Sequence, residues 1–233
     1  MTNELKKSIE QLYTTFSSYP FPSTIVGCPC CVSDTDKAKI HNSQLRELSE
    51  EDLSRYAFKA MTTWGDVNDF KYYLPRILEL LSTTDFIVDT FVVLGKLNYG
   101  KWTTWTIEEQ TVVKQFLLAW WEDLIKNKSY FDQEAFIEIY KLLGAVDELL
   151  NKWEISFNDN SFQNVVDMID RCYLDLINDS KDYKDFDKKE VEKIRLWLTS
   201  KKEIIETGFF YYENSDKELA QKISNALYIL EYY

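Results

Sequence analysis

Only six Gly and four Pro are spread through 233 residues. These two residue types supply most tight turns, so the chain lacks the punctuation that a protein of many short strands needs. Apolar residues recur three and four apart instead, as in Leu5, Ile9, Leu12, Tyr13 and Phe16, which is the spacing of an amphipathic helix. The expected fold class is all-α: a multi-helix αα-hairpin array, either an irregular bundle or a HEAT-like solenoid. Trp64, Trp105, Trp153 and Trp197 recur at intervals in the forties, close to the ~40–47-residue period of HEAT-type repeats, although no residue pattern repeats around them.

Helix boundaries follow from capping chemistry. Pro20 and Pro22 end a first helix over 3–19, and an irregular segment follows over 19–32. Ser33-x-x-Asp36 and Ser49-x-x-Asp52 read as capping boxes, in which a hydroxyl and a carboxylate satisfy free N–H groups at a helix start. The second opens a helix that runs to Trp64, with Gly65 as its stop. Pro75 must kink or begin the helix over 66–81, because it lacks a donor and crowds the preceding turn. Further helices are expected over 85–97, 107–127 (opened by Thr106-x-x-Glu109), 132–143, 146–153, 161–178, 187–199, 201–212 and 216–231, the last capped by Ser215-x-x-Glu218. With 45% hydrophobic and 15% aromatic residues the chain can bury a core without staples. We expect one helical domain over 1–233, with a sub-boundary near 155–161 at the polar Asn158-Asp159-Asn160 loop.

A net charge of -12 repels phosphate backbones and anionic lipid, which argues against nucleic acid and membrane as partners. Residues 1–7 lead into a helical pattern rather than the apolar core of a signal peptide. The most apolar stretch, 86–97, is interrupted by Asp89 and Lys96 and falls short of the ~20 residues that span a bilayer. The expected location is the cytoplasm, where Cys28, Cys30, Cys31 and Cys172 stay reduced.

Gly27-Cys28-Pro29-Cys30-Cys31 places three thiols within four residues, and three readings stay open. Cys28, Cys30 and Cys31 with His41 complete a Cys₃His set for zinc, although zinc sites usually leave two to four residues between paired ligands. A thiolate close to the helix start at Ser33 has a lowered pKa and reacts with oxidants. Free thiols also pack as small apolar groups, here holding an Ω-like loop. Cys172, among Met168, Ile169 and Leu176, reads as core.

His41 is the only histidine, so any Ser-His-Asp or Cys-His system must use it. Sites needing two or more imidazoles, such as H-E-x-x-H hydrolases, are excluded. Beside Asn42 and Ser43 it also reads as a helix-end surface residue. The carboxylate pairs Asp85/Asp89, Glu134/Glu138 and Asp167/Asp170 sit one turn apart, but among 39 acids such pairs arise by chance and read as solvated faces. Neither familiar Gly-rich phosphate loop is present. An enzyme outside these classes stays open, with the weight of the sequence on the non-enzymatic side.

Residues 94–105 hold two Gly, two Trp, a Tyr and two Lys between helices. Tyr99, Trp102 and Trp105 are the candidate partner-binding surface, since large rings give contact area at little entropic cost; the alternative is that both Trp fold back onto the core. Trp120-Trp121 and 209–212 cover more than one helical face, as in a many-sided buried helix or a homodimer contact.

The string Gly27-Cys28-Pro29-Cys30-Cys31, followed by 53–60, Thr63-Trp64-Gly65-Asp66 and 70–81, resembles a family of uncharacterised bacterial proteins over residues 10 to about 155. The resemblance implies a bacterial source and a helical fold, and carries no catalytic residue. The leading expectation is a non-enzymatic scaffold that binds another protein through Tyr99, Trp102 and Trp105. The alternatives are a metal-binding or redox-responsive protein using the thiol loop, with zinc as the candidate ion, and an acidic immunity-type inhibitor.

Overall fold

The computed structural model describes residues 1–178 and 180–233. Among these residues the chain forms twelve α-helices and no β-strand, so the fold is all-α and multi-helix. In order they are α1 Asn3–Phe16, α2 Asp34–His41, α3 Glu50–Lys59, α4 Val67–Thr83, α5 Thr90–Tyr99, α6 Ile107–Asn127, α7 Gln133–Leu143, α8 Asp147–Asn151, α9 Ser161–Ile177, α10 Lys188–Thr199, α11 Lys202–Tyr212 and α12 Lys217–Tyr232. None of them is long and apolar enough to cross a membrane.

Helix starts follow local chemistry closely. Both serine capping boxes form, at α2 and α3, and Asp66 with Asp69 makes a third at α4. Thr106 and Glu109 exchange the expected bonds at the head of α6, with Thr106 N–H donating to Glu109 Oε2 at 2.9 Å and Glu109 N–H donating to Thr106 Oγ1 at 3.3 Å. One expectation is corrected and one open alternative is decided. The cap of α12 is Asp216, whose Oδ1 accepts from Leu219 N–H at 3.0 Å, while the Ser215 hydroxyl turns back toward the Tyr211 and Tyr212 carbonyls. Pro75 does not begin a helix but lies buried inside α4, where its ring leaves the Lys71 carbonyl without a helical donor.

The chain divides into two compact units, Met1–Trp120 and Trp121–Tyr233. The division falls inside α6, and the polar turn at 155–161 lies within the second unit. In the first unit α4 is the central element, packing against α1, α3 and α5, while α2 rests on α3. Phe70, Tyr73, Leu74, Ile77 and Leu78 are buried along α4, and each such side chain contributes about 2 kcal/mol by leaving water. In the second unit α9 takes that role against α10, α11 and α12.

Trp121, Phe131, Phe136 and Trp153 form one ring cluster in the second unit. The two indole N–H groups donate to Leu149 O at 3.0 Å and Ser161 O at 3.1 Å, so the rings are buried without an orphan donor. Asp167, read from sequence as solvated, is buried on α9. Its Oδ2 accepts from Phe131 N–H at 2.9 Å and pairs with Arg171 Nε at 3.1 Å, which offsets the cost of removing a carboxylate from water.

Candidate metal centre

The thiol loop is built on two apolar anchors. Ile25 and Val32 are buried, and the chain between them is left exposed or half-buried. Cys28 N–H donates to Thr63 O at 2.8 Å and Gly65 N–H donates to Val26 O at 2.7 Å. These bonds make Gly27 and Trp64 an isolated antiparallel bridge. The Gly27-Cys28-Pro29-Cys30-Cys31 string therefore pairs with the Thr63-Trp64-Gly65 string, a contact that bridges residues 37 positions apart and that neither string announces. Gly65 makes the pairing feasible: at φ +72° it occupies the left-handed region, and a Cβ there would lie 2.8 Å from Asp69 Oδ2 and 2.9 Å from Ile25 Cγ2.

From that anchor the chain reverses. Cys31 N–H and Val32 N–H both donate to Cys28 O, at 2.9 and 3.0 Å. The turn brings Cys28, Cys30 and Cys31 to one side, with all three Sγ atoms within 4.8 Å of one another. Cys28 and Cys30 Sγ are 2.9 Å apart, and Cys30 and Cys31 Sγ are 3.6 Å apart. Cys30 is exposed and the other two are half-buried. Arg55 on α3 steadies the turn, donating from Nη2 to Cys31 O at 3.2 Å and pairing through Nε with Asp36 Oδ2 at 2.9 Å. Asp36 in turn closes the capping box of α2.

Cys28 and Cys30 shift in opposite directions. Hydrogen bonds from Cys30 and then Cys31 lower the Cys28 thiol below its ordinary value. Cys30 is pushed up to about 11, first by its hydrogen bond to Cys28 and then by the one to Cys31, with their charge adding to both. Of these two, Cys28 is the one that gives up its proton more easily. A thiolate is the form that ligates metal and attacks oxidants.

His41 is not part of this cluster, which corrects the Cys₃His expectation. The thiols precede the first residue of α2 and His41 is its last, so seven helical residues lie between them, a rise of about 10 Å. The imidazole is also engaged elsewhere, with Nδ1 2.7 Å from Lys37 O and Nε2 2.9 Å from Pro22 O. Phe21 stands edge-on to the ring at 5.3 Å. His41 ties the segment after α1 to the end of α2.

The aromatic surface expected at Tyr99, Trp102 and Trp105 is also corrected. Trp102 and Trp105 are only 6% and 8% exposed, and Tyr99 alone stays outside at 58%. The chain after α5 coils through a short 3₁₀ turn, Trp102–Thr104, that swings both indoles inward. Trp105 packs edge-on against Phe16 at 6.0 Å and Phe70 at 6.5 Å, and its Nε1 donates to Gly100 O at 2.9 Å. With that N–H satisfied, nothing offsets the gain from burying so large a ring.

Sequence reasoning missed two buried cations. Lys71 Nζ lies 2.9 Å from Glu109 Oε2, 2.8 Å from the Tyr19 hydroxyl and 4.4 Å from the Trp105 ring centroid. Lys96, which had only served to break an apolar run, donates to Ala60 O at 2.9 Å and so supports the turn that carries Thr63 and Trp64. Burial lowers its pKa. The only sequence signal for either was a lysine on the apolar side of a helical repeat. Compared with protein-family models, curated proteins and solved structures, the chain matches none, so its functional reading rests on the chemistry of the site.

Proposed function

We propose that this is a metal-binding protein in which Cys28, Cys30 and Cys31 hold a thiophilic ion, zinc being the first candidate. The observation that carries the reading is the convergence of three sulfurs within 4.8 Å on a turn anchored at both ends. Around tetrahedral zinc, with Zn–S bonds of about 2.3 Å, neighbouring sulfurs lie roughly 3.8 Å apart. The Cys30–Cys31 separation of 3.6 Å is close to that spacing, and the Cys28–Cys30 pair needs to open. With His41 held elsewhere, the fourth position falls to water or to a ligand brought by a partner. A site with three protein ligands is of the open kind, suited to exchange or chemistry rather than to stapling a fold. Such a role also accords with a unit whose core needs no staple. The scaffold reading, by contrast, loses most of its contact area with Trp102 and Trp105 buried.

The test is to purify the protein without chelator or added metal and measure zinc per chain together with thiols reactive under native conditions. We expect near-stoichiometric zinc and protected thiols, both abolished by Cys30→Ser and retained in Cys172→Ser. No zinc uptake and no protection on adding zinc would overturn the reading. A second reading is favoured by the 2.9 Å Cys28–Cys30 separation and the lowered Cys28 pKa: oxidation to a disulfide by a mild oxidant. Metal-free protein whose thiols disappear rapidly in pairs would move the assignment there.

A further inference from the structure

Two residues other than glycine have positive φ among the described residues, Met61 at 62° and Lys101 at 53°. They lie 40 positions apart in sequence yet line the same cleft, an opening of about 480 Å³ in the first unit. That volume is within the roughly 300–1,000 Å³ of small-molecule sites. The two turns meet there: a Cβ on Gly100 would be 3.2 Å from Met61 Sδ. Glycine adopts such a backbone freely, whereas a side chain there costs free energy.

Tyr99, which is exposed, lines the cleft together with Met61 and the small uncovered part of Trp105. Three charged residues border it, and two are already engaged. Lys71 is saturated by Glu109 and Tyr19. Asp66 caps α4, its Oδ1 accepting from Asn68 N–H at 2.8 Å and Asp69 N–H at 3.1 Å, where the helix dipole compensates its charge. Lys101 has no ion-pair partner among the described residues, so the cleft presents one unpaired cation beside the exposed Tyr99 ring.

We propose that this cleft binds a small monocarboxylate with a flat apolar body, the body resting on the exposed Tyr99 ring beside Met61 and the carboxylate reaching Lys101. The cleft shares the turn at 60–65 with the thiol loop, since Met61 N–H donates to Trp64 O at 2.9 Å and Thr63 O accepts from Cys28 N–H. The proposal does not rest on metal binding and is tested on metal-free protein.

Phenylacetate and indole-3-acetate are titrated by calorimetry and by saturation-transfer NMR, with 2-phenylethanol as the neutral control. Either carboxylate should bind more tightly than the alcohol. Lys101→Gly should weaken that binding roughly tenfold or more, the worth of one charge-assisted hydrogen bond. Because glycine tolerates φ 53°, the variant should melt no lower than the parent, so a loss of binding is not a loss of fold. Absence of binding by both acids at millimolar concentration overturns the proposal. So does equal binding of the alcohol, or unchanged carboxylate binding in Lys101→Gly.

Discussion

The thiol turn at 27–31 and the tryptophan turn at 99–105 are built from similar parts, each a few residues between helices held by backbone hydrogen bonds, but they are anchored in opposite ways. In the first, the apolar grip comes from Ile25 and Val32 on either side, which leaves the three thiols at the surface. In the second, Trp102 and Trp105 are themselves the grip, and only Tyr99 is left outside. The difference teaches where stability and chemistry lie. A residue that anchors a turn is spent on packing, whereas a residue carried between anchors is free to ligate or react.

Three outcomes would break or sharpen that contrast, taken from the largest effect down. Trp105→Ala should lower the unfolding free energy by about 4 kcal/mol in urea titration, the scale of truncating a core tryptophan. It also removes the ring over which Lys71 lies. A cost near zero would mean that the second turn is not anchored by its indole.

Glu109→Gln should cost about 3 kcal/mol, because it leaves the Lys71 ammonium buried without its counter-charge. Burial by itself raises the Glu109 carboxyl, but hydrogen bonds from Tyr19, Lys71 and the Thr106 N–H outweigh it and hold the pKa below the ordinary 4.5. A lowered acid pKa stabilises the fold above the unfolded-state value, and that stability is lost as pH falls through the folded one. The urea midpoint of the parent should therefore drop below pH 4.5 more steeply than that of Glu109→Gln. Equal slopes would remove Glu109 from the balance.

Cys30→Ser should be the smallest change, within about 0.5 kcal/mol for metal-free protein, as for other surface substitutions. Zinc at a hundred times its dissociation constant should then stabilise the parent by about 2.7 kcal/mol and leave the variant unmoved. A large cost without metal would make the thiol turn an anchor after all and erase the contrast between the two turns.

Much of the fold was legible because it is local. The apolar repeat along α1 and α9, the serine capping boxes of α2 and α3, and the Thr106–Glu109 cap of α6 each depend on residues within one or two turns of one another. The thiol cluster was legible for the same reason, since Cys28, Cys30 and Cys31 need only one turn to converge. The Lys71–Glu109 pair and the Lys96 bond to Ala60 were not, because nothing near 71 or 96 marks a partner 38 or 36 residues away.

The sequence by itself determined that this chain is helical, where most helices begin, and that three thiols share one short loop. These outcomes follow from hydrogen bonds and side-chain spacing within a few residues. Tertiary structure alone decided that His41 stands a helix length from those thiols, that the Gly27–Cys31 string rests on Thr63–Gly65, and that Trp102 and Trp105 face inward. Burial and long-range pairing depend on which surfaces meet after the helices have formed, and a side chain's identity fixes its appetite for water without fixing which neighbour removes it.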